Sequence, residues 1–327
     1  MYYSLKDIEQ IVDDCNELYH VKREPARLYE PMEYMMSIGG KRIRPKLCLL
    51  TYAMLQDECI DESVLMPAMA LEVYHEFTLM HDDIMDRSDL RRGCPTVCRK
   101  WNENVAILSG DAMLILAFRY LYHVQKPLLR EALDLFSLTA MQVCEGQQYD
   151  MDFEQRPVIT MEEYLEMIRL KTAVLLGCAT NMGALLAGAD GEVCHKLKQF
   201  GICLGMAFQI ADDYLDTFGD EKVFGKKIGG DIVNNKKTWL LVECFRRASA
   251  SQRKHLESLL QMGEAQRAEK IAAVRALYEE LGIREAAENE SRAWHRKALD
   301  ILSSAGIPSD RDVFLRMFAD KLLRREK

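Results

Sequence analysis

Glycine, proline, positive charge and long apolar runs are all in short supply in this chain of 327 residues. Only 18 glycines and 8 prolines occur, while Leu, Ala, Glu, Lys, Arg and Met are frequent, a balance that favours helix over sheet. The net charge of −8 argues against a nucleic-acid-binding surface. No apolar run approaches bilayer-spanning length, and the start, Met1 to Asp7, lacks the layout of a signal peptide. A cytoplasmic protein without a transmembrane segment is therefore expected. Ten cysteines are scattered without a disulfide framework, and Cys94 and Cys98 have no second pair at zinc-ligand spacing, so reduced thiols are the simplest reading.

What is present is helical. Apolar residues make up 49% and charged residues 29%, the mix of a globular fold. Leu5, Ile8, Ile11, Val12, Cys15 and Leu18 recur at threes and fours, which predicts an amphipathic helix. A second helix is expected over Leu28–Met36, stopped by Gly39-Gly40, and a third from Pro45 to about Leu55. Glu62–Asp86 reads as one long helix, apolar on more than one side and so central. After a polar, turn-rich stretch from Arg87 to Pro95, helices are expected over Asn104–His123, Leu128–Asp152, Thr160–Ala189 and Val193–Thr217. A loop from Gly219 to Asn235 follows, then shorter helices. No strand-like alternation persists and no linker divides the chain. The expectation is a single all-α domain over residues 1–327.

One pattern occurs twice. Asp82-Asp83-Ile84-Met85-Asp86 and Asp212-Asp213-Tyr214-Leu215-Asp216 are both Asp-Asp-x-x-Asp, each following an apolar helical run. On a helix the first and last Asp project from one face. A single copy on a solvated face is commonly mere surface charge; two copies beside apolar segments point to a site. Two like charges about 4 Å apart repel by roughly 4 kcal/mol at an effective dielectric of 20, so six facing carboxylates need compensating cations. Hard oxygen ligands suit Mg²⁺, which binds through a few carboxylates together with substrate phosphates.

With these motifs come Gly39-Gly40-Lys41-Arg42-Ile43-Arg44-Pro45, Arg91-Arg92-Gly93, Lys171-Thr172, Phe208-Gln209-Ile210 and Gly225-Lys226 through Lys236. In order and spacing the set resembles the trans-isoprenyl diphosphate synthase (polyprenyl synthetase) family. The resemblance implies a bundle of antiparallel helices around a central cavity, usually as a homodimer. It also implies head-to-tail condensation of isopentenyl diphosphate with an allylic diphosphate. Asp82, Asp86 and Asp212 would be the principal Mg²⁺ ligands, with Asp83, Asp213 and Asp216 in support and three ions in all. Arg91, Lys171, Lys226 and Lys236 would finish neutralising the allylic diphosphate, with Thr172 and Gln209 orienting that substrate. Lys41, Arg44, His75 and Arg92 match the family's metal-free pocket for isopentenyl diphosphate. Gln147 matches a family position of less defined role. Whether Lys226 or Lys227, and Lys236 or Lys237, reaches the diphosphate stays open.

The resemblance also bears on product length. Phe77 lies five residues before Asp82, about 7.5 Å down the helix, and Tyr74 three residues further. Bulk there forms the family's channel floor. Phe77, Thr78 and Tyr74 together imply a short product, C15 to C20. Two rivals differ in what they need. A class I terpene cyclase would carry Asn, Ser or Thr and Glu in its second metal motif, and a silent partner subunit would lack an acidic motif. Both Asp-rich motifs are intact here.

Overall fold

The computed structural model describes residues 3–17, 23–219 and 228–324. Helices dominate: α1 Leu5–Glu17, α2 Ala26–Ser37, α3 Ile43–Leu55 and α4 Glu62–Met85 come first. Strands β1 Leu90–Arg91 and β2 Cys94–Pro95 lead into α5 Val97–Lys100, α6 Glu103–Leu121, α7 Lys126–Glu154 and α8 Met161–Ile168. Then come α9 Val174–Leu186, α10 Gly191–Phe218, α11 Gly230–Val233, α12 Trp239–Arg247 and α13 Ala250–Leu260. The series closes with α14 Arg267–Glu280, α15 Ile283–Ser303 and α16 Val313–Arg324. The all-α class expected from composition holds. The chain falls into two compact units: Met1–Leu138 with Leu176–Lys198 and Leu302–Phe318, and Thr139–Leu175 with Gln199–Ile301 and Ala319–Lys327.

The first unit is built around α4. Asp61 caps it, its side chain accepting the Ser63 N–H, which satisfies one of the unpaired donors of a helix start. Ala68, Ala70, Leu71, Val73 and Tyr74 are almost fully buried, because α3 packs along one side of α4 and α6 along another. A helix apolar on several sides has no stable place except at the centre. The helix ends in the first acidic motif, Asp86 standing at its C-cap.

Four features differ from the sequence expectation. The turn-rich stretch after Asp86 holds a small antiparallel hairpin, Leu90 opposite Pro95 and Arg91 opposite Cys94. Its two-residue turn, Arg92 and Gly93, has φ of 53° and 78°, the left-handed pair that matches strand twist in such a loop. The helix expected over Thr160–Ala189 is interrupted: Arg169–Ala173 forms a π-turn between α8 and α9. The apolar period continues through the insertion, so the sequence gives no sign of it. Part of the Gly219–Asn235 loop is helical, as α11, while Lys226 and Lys227 lie outside the described residues. Finally, α6 does have the length and composition of a membrane span, with a mean hydropathy of 1.4. That corrects the view that no run comes close. It also packs against α2 and α4 as a core helix does.

The second unit surrounds α10. Tyr164, Met167 and Ile168 of α8 share one apolar cluster with Met206 and Ile210 of α10, Trp239 to Val242 of α12, and Leu277 and Tyr278 of α14. The N-terminus of α8 carries a reciprocal cap in which Thr160 and Glu163 each bond the other's backbone N–H.

Candidate active site

In the first unit, the acidic motif and the hairpin are tied together. Ser88 N–H donates to Asp83 O at 3.0 Å, and the Thr96 hydroxyl donates to Ser88 O at 2.9 Å. This sets Arg91 over the carboxylates. Its Nε and Nη2 donate to Asp83 Oδ1 at 3.0 and 2.6 Å, and Nη2 also reaches Asp82 Oδ2 at 3.1 Å. Burial works against the Arg91 charge, but these bonds outweigh it and hold its pKa above the ordinary value. Asp83 is buried, and burial pushes its carboxyl up despite Arg91. Its Oδ2 has no hydrogen-bond partner.

The adjacent arginine serves another place. Arg92 donates Nη2 to Glu76 Oε1 at 2.7 Å and Nη1 to Gly39 O. Gly40 must be glycine here. Its φ is +135°, and a Cβ would stand 2.9 Å from Arg92 Cζ. Arg44, from the first turn of α3, is half-buried, and burial lowers its pKa to about 10 against the pull of Glu72 and Glu76. His75 is half-buried, and burial with Arg44, Arg92 and Arg91 nearby keeps its pKa well below the ordinary value, so the ring is neutral at pH 7. Lys41 is exposed on the glycine-rich turn before α3. Lys41, Arg44, His75 and Arg92 thus all belong to the first unit, and three of them share one electrostatic neighbourhood.

Below the motif runs a file of rings. Phe77 meets His81 at 4.7 Å and Tyr74 at 5.5 Å, Tyr74 meets Phe136 edge-on at 5.2 Å, and Phe136 meets Phe118 at 5.1 Å. Tyr74 is sealed at 1% exposure, whereas Phe77 and Thr78 are half-buried. The Thr78 hydroxyl donates back to His75 O at 2.7 Å. Phe118 and Phe136 went unnoticed in the sequence because their distance from Tyr74 along the chain hides their contact.

The second unit has its own polar chain. Thr172 donates to Gln209 Oε1 at 3.0 Å, and Gln209 Nε2 donates to Asp213 Oδ1 at 3.0 Å. Asp213 Oδ2 accepts from the Tyr164 hydroxyl at 2.6 Å and from Trp239 N–H at 2.8 Å. Burial raises the Asp213 pKa to about 6, opposed by these donors. Asp216 Oδ2 accepts the Asp231 N–H at 2.9 Å. Past the end of α11, Lys236 N–H donates back to Asp231 O at 2.9 Å. Burial and Asp216 drive the Asp231 carboxyl well up, and Lys236 opposes them. Asp212, the remaining carboxylate of the motif, is half-buried on α10.

Lys171 and Thr172 lie on the π-turn, and Lys171 Nζ is paired with Asp150 Oδ2 at 2.6 Å. Close approach of α7 makes this possible. A Cβ on Gly146 would come within 2.2 Å of Lys171 N, and one on Gly205 within 2.5 Å of Ala173 Cα. Gln147 follows Gly146 on α7, half-buried. Asp150, Gly146 and Gly205 were absent from the sequence's candidate residues. Only the π-turn gives them a purpose.

The donor set suits a hard divalent cation: carboxylate oxygens, among them the partnerless Oδ2 of Asp83. Among the described residues no three His, Cys, Asp or Glu side chains are gathered to form a cage by themselves.

Residues 25–281 match the family model for polyprenyl synthetase. The chain belongs to the polyprenyl synthetase family. It is 42% identical over 266 residues to geranylgeranyl diphosphate synthase of Methanosarcina mazei, covering 81% of this chain and 79% of that one. A crystal structure of geranylgeranyl pyrophosphate synthase superposes with a TM-score of 0.93 at 40% identity, covering 99% of this chain and 100% of that one. Another, the Corynebacterium glutamicum geranylgeranyl pyrophosphate synthase complexed with isoprenyl diphosphate and magnesium, gives 0.85 at 27% identity, covering 98% and 97%. As a polyprenyl synthetase, the chain is a prenyltransferase.

Proposed function

We propose that this polyprenyl synthetase joins isopentenyl diphosphate head to tail with dimethylallyl, geranyl or farnesyl diphosphate, releasing diphosphate and making a C15–C20 product. The observation that carries this reading is the divergence of two neighbouring arginines. Arg91 pairs with Asp82 and Asp83, while Arg92 pairs with Glu76 and Gly39 O. Successive residues of a strand and its turn present their side chains in different directions. One hairpin can therefore supply both a metal-assisted diphosphate and a metal-free one.

In the reaction, the allylic C–O bond breaks and its electron pair leaves with diphosphate. The isopentenyl double bond then supplies the pair for the new C–C bond, and a proton is lost to the departing diphosphate. Bound Mg²⁺ supplies Lewis-acid stabilisation of the negative charge on the leaving group. Asp82, Asp86 and Asp212 would hold it, with Asp83, Asp213 and Asp216 supporting and three ions in all. Arg91, Lys171 and Lys236, with Lys226, place fixed positive charge where the leaving group becomes more negative. Thr172 and Gln209 orient the allylic end. Lys41, Arg44, His75 and Arg92 hold isopentenyl diphosphate, the arginines by planar donor pairs. Tyr74, Phe77 and Thr78 limit chain growth.

The same reading includes a single domain, a cytoplasmic location and a homodimer. One family model running from residue 25 to 281 through both units supports the first. The third is supported by Leu108, Ile115 and Tyr122 of the α6 region, exposed at 60, 62 and 64%, which suit burial against a second copy. The deciding experiment is incubation of the purified protein with isopentenyl diphosphate, Mg²⁺ and each allylic diphosphate, with chromatographic sizing of products. No elongation with any of the three would reject the reading.

A further inference from the structure

Glu72 and Glu76 stand one turn apart on α4, each only 2% exposed. Each has an Oε2 without a hydrogen-bond partner. Buried carboxylates of this kind are costly unless cations compensate them, and here two arginines do. Arg92 bonds Glu76 directly. Arg44, whose Nε is itself buried and partnerless, lies in the field of both carboxylates. Both arginines are the ones assigned above to isopentenyl diphosphate, and the inference rests on that assignment.

We propose that Glu76 is a positioning residue for the isopentenyl diphosphate pocket, holding Arg92 against the Gly39 carbonyl and taking up a proton when the diphosphate binds. Two carboxylates balance two guanidinium groups before binding. Adding a diphosphate breaks that balance toward negative charge, and a proton on Glu76 offsets one unit of it while leaving Oε1 to accept from Arg92. Burial already raises the Glu76 pKa to about 7, with Arg92 and Arg44 lowering it and Glu72 raising it. Those three charged groups act on it most strongly. Arg42 and Lys46 add their field at Glu72 behind, and His75 beside it is neutral.

The test is steady-state kinetics on the full chain from pH 6 to 8.5, each substrate varied in turn, for wild type, Glu76→Gln and Glu76→Ala. By linkage, the wild-type KM for isopentenyl diphosphate rises with pH above 7. Glu76→Gln keeps the acceptor and cannot titrate. Its KM should match wild type at pH 6 and be lower by up to about tenfold at pH 8, since each pH unit above the pKa is worth at most a factor of ten. The substrate's own ionisation is common to both proteins and cancels in the ratio. Glu76→Ala should raise this KM about tenfold or more at every pH, the loss of a charge-assisted bond, with the allylic KM and kcat within about twofold. A wild type without turnover rejects the functional reading itself. A wild type that turns over, with a Glu76→Gln KM ratio constant across pH, overturns the inference alone. If Glu76→Ala fails to fold, the nearly isosteric Gln variant carries the test by itself.

Discussion

Tyr164 donates its hydroxyl to Asp213 Oδ2 across 2.6 Å, and this bond ties α8 to α10 within the apolar cluster of the second unit. Tyr164→Phe leaves a buried carboxylate with one donor fewer, which costs about 1–3 kcal/mol. Urea denaturation should show the midpoint falling while the slope stays constant. Because Gln209 shares Asp213, the KM for the allylic substrate should rise as well. An unchanged midpoint would mean the hydroxyl contributes nothing there.

Asp82 is the residue whose loss should separate chemistry from folding. Its side chain is 17% exposed and shares Arg91 with Asp83, so Asp82→Ala leaves the apolar core intact. We expect turnover to drop by about 10²–10³-fold or more, the scale of losing a preorganised electrostatic contact. The melting temperature should move little.

Product length should respond to the file of rings. Phe77→Ala opens the upper position and should shift the product at least one isoprene unit longer, seen by chromatography of the dephosphorylated alcohols. Tyr74 lies below it, edge-on to Phe136. Adding Tyr74→Ala should lengthen the product again, and it should destabilise the fold by about 3–5 kcal/mol, as for other large aromatics removed from a core. A product unchanged in both variants would place the floor elsewhere.

The buried Glu76 also makes stability depend on pH. Burial raises its folded pKa to about 7, above the ordinary carboxylate value of 4.5. The stability this contributes is therefore fully present below about pH 4.5 and is lost as pH rises through 7. Denaturation midpoints of the wild type should fall between pH 5 and pH 8. Glu76→Gln should show a visibly shallower fall. An identical slope in the two proteins would mean that Glu76 titrates alike in the folded and unfolded chain.

The sequence carried the fold class and the acidic motifs because both are periodic: apolar residues at helical spacing, and carboxylates four apart. Element ends were approximate, as with α2, which runs from Ala26 to Ser37 rather than Leu28 to Met36. Strands of two residues are too short to show alternation, so the hairpin was invisible. Arg91 and Arg92 were told apart by the family resemblance alone; that the turn sends one to Asp83 and the other to Glu76 was not legible. Glu76 stands out in the sequence only as an acid beside His75 and Phe77 on a mostly buried helix, and its partner stands 16 residues away. Asp150 could not be matched to Lys171 without knowing that α7 passes the π-turn.

That π-turn has a further consequence. Residues 169–173 contain one amino acid more than a regular turn would hold, so the helical phase before it and the phase after it no longer agree. Every face-counting rule applied to Thr160–Ala189 slips by about a quarter of a rotation at Lys171. The helix works as a vernier: regular spacing on either side, with a single offset that decides where one lysine and one threonine aim. Removing one residue there would give a more regular helix and misdirect both side chains.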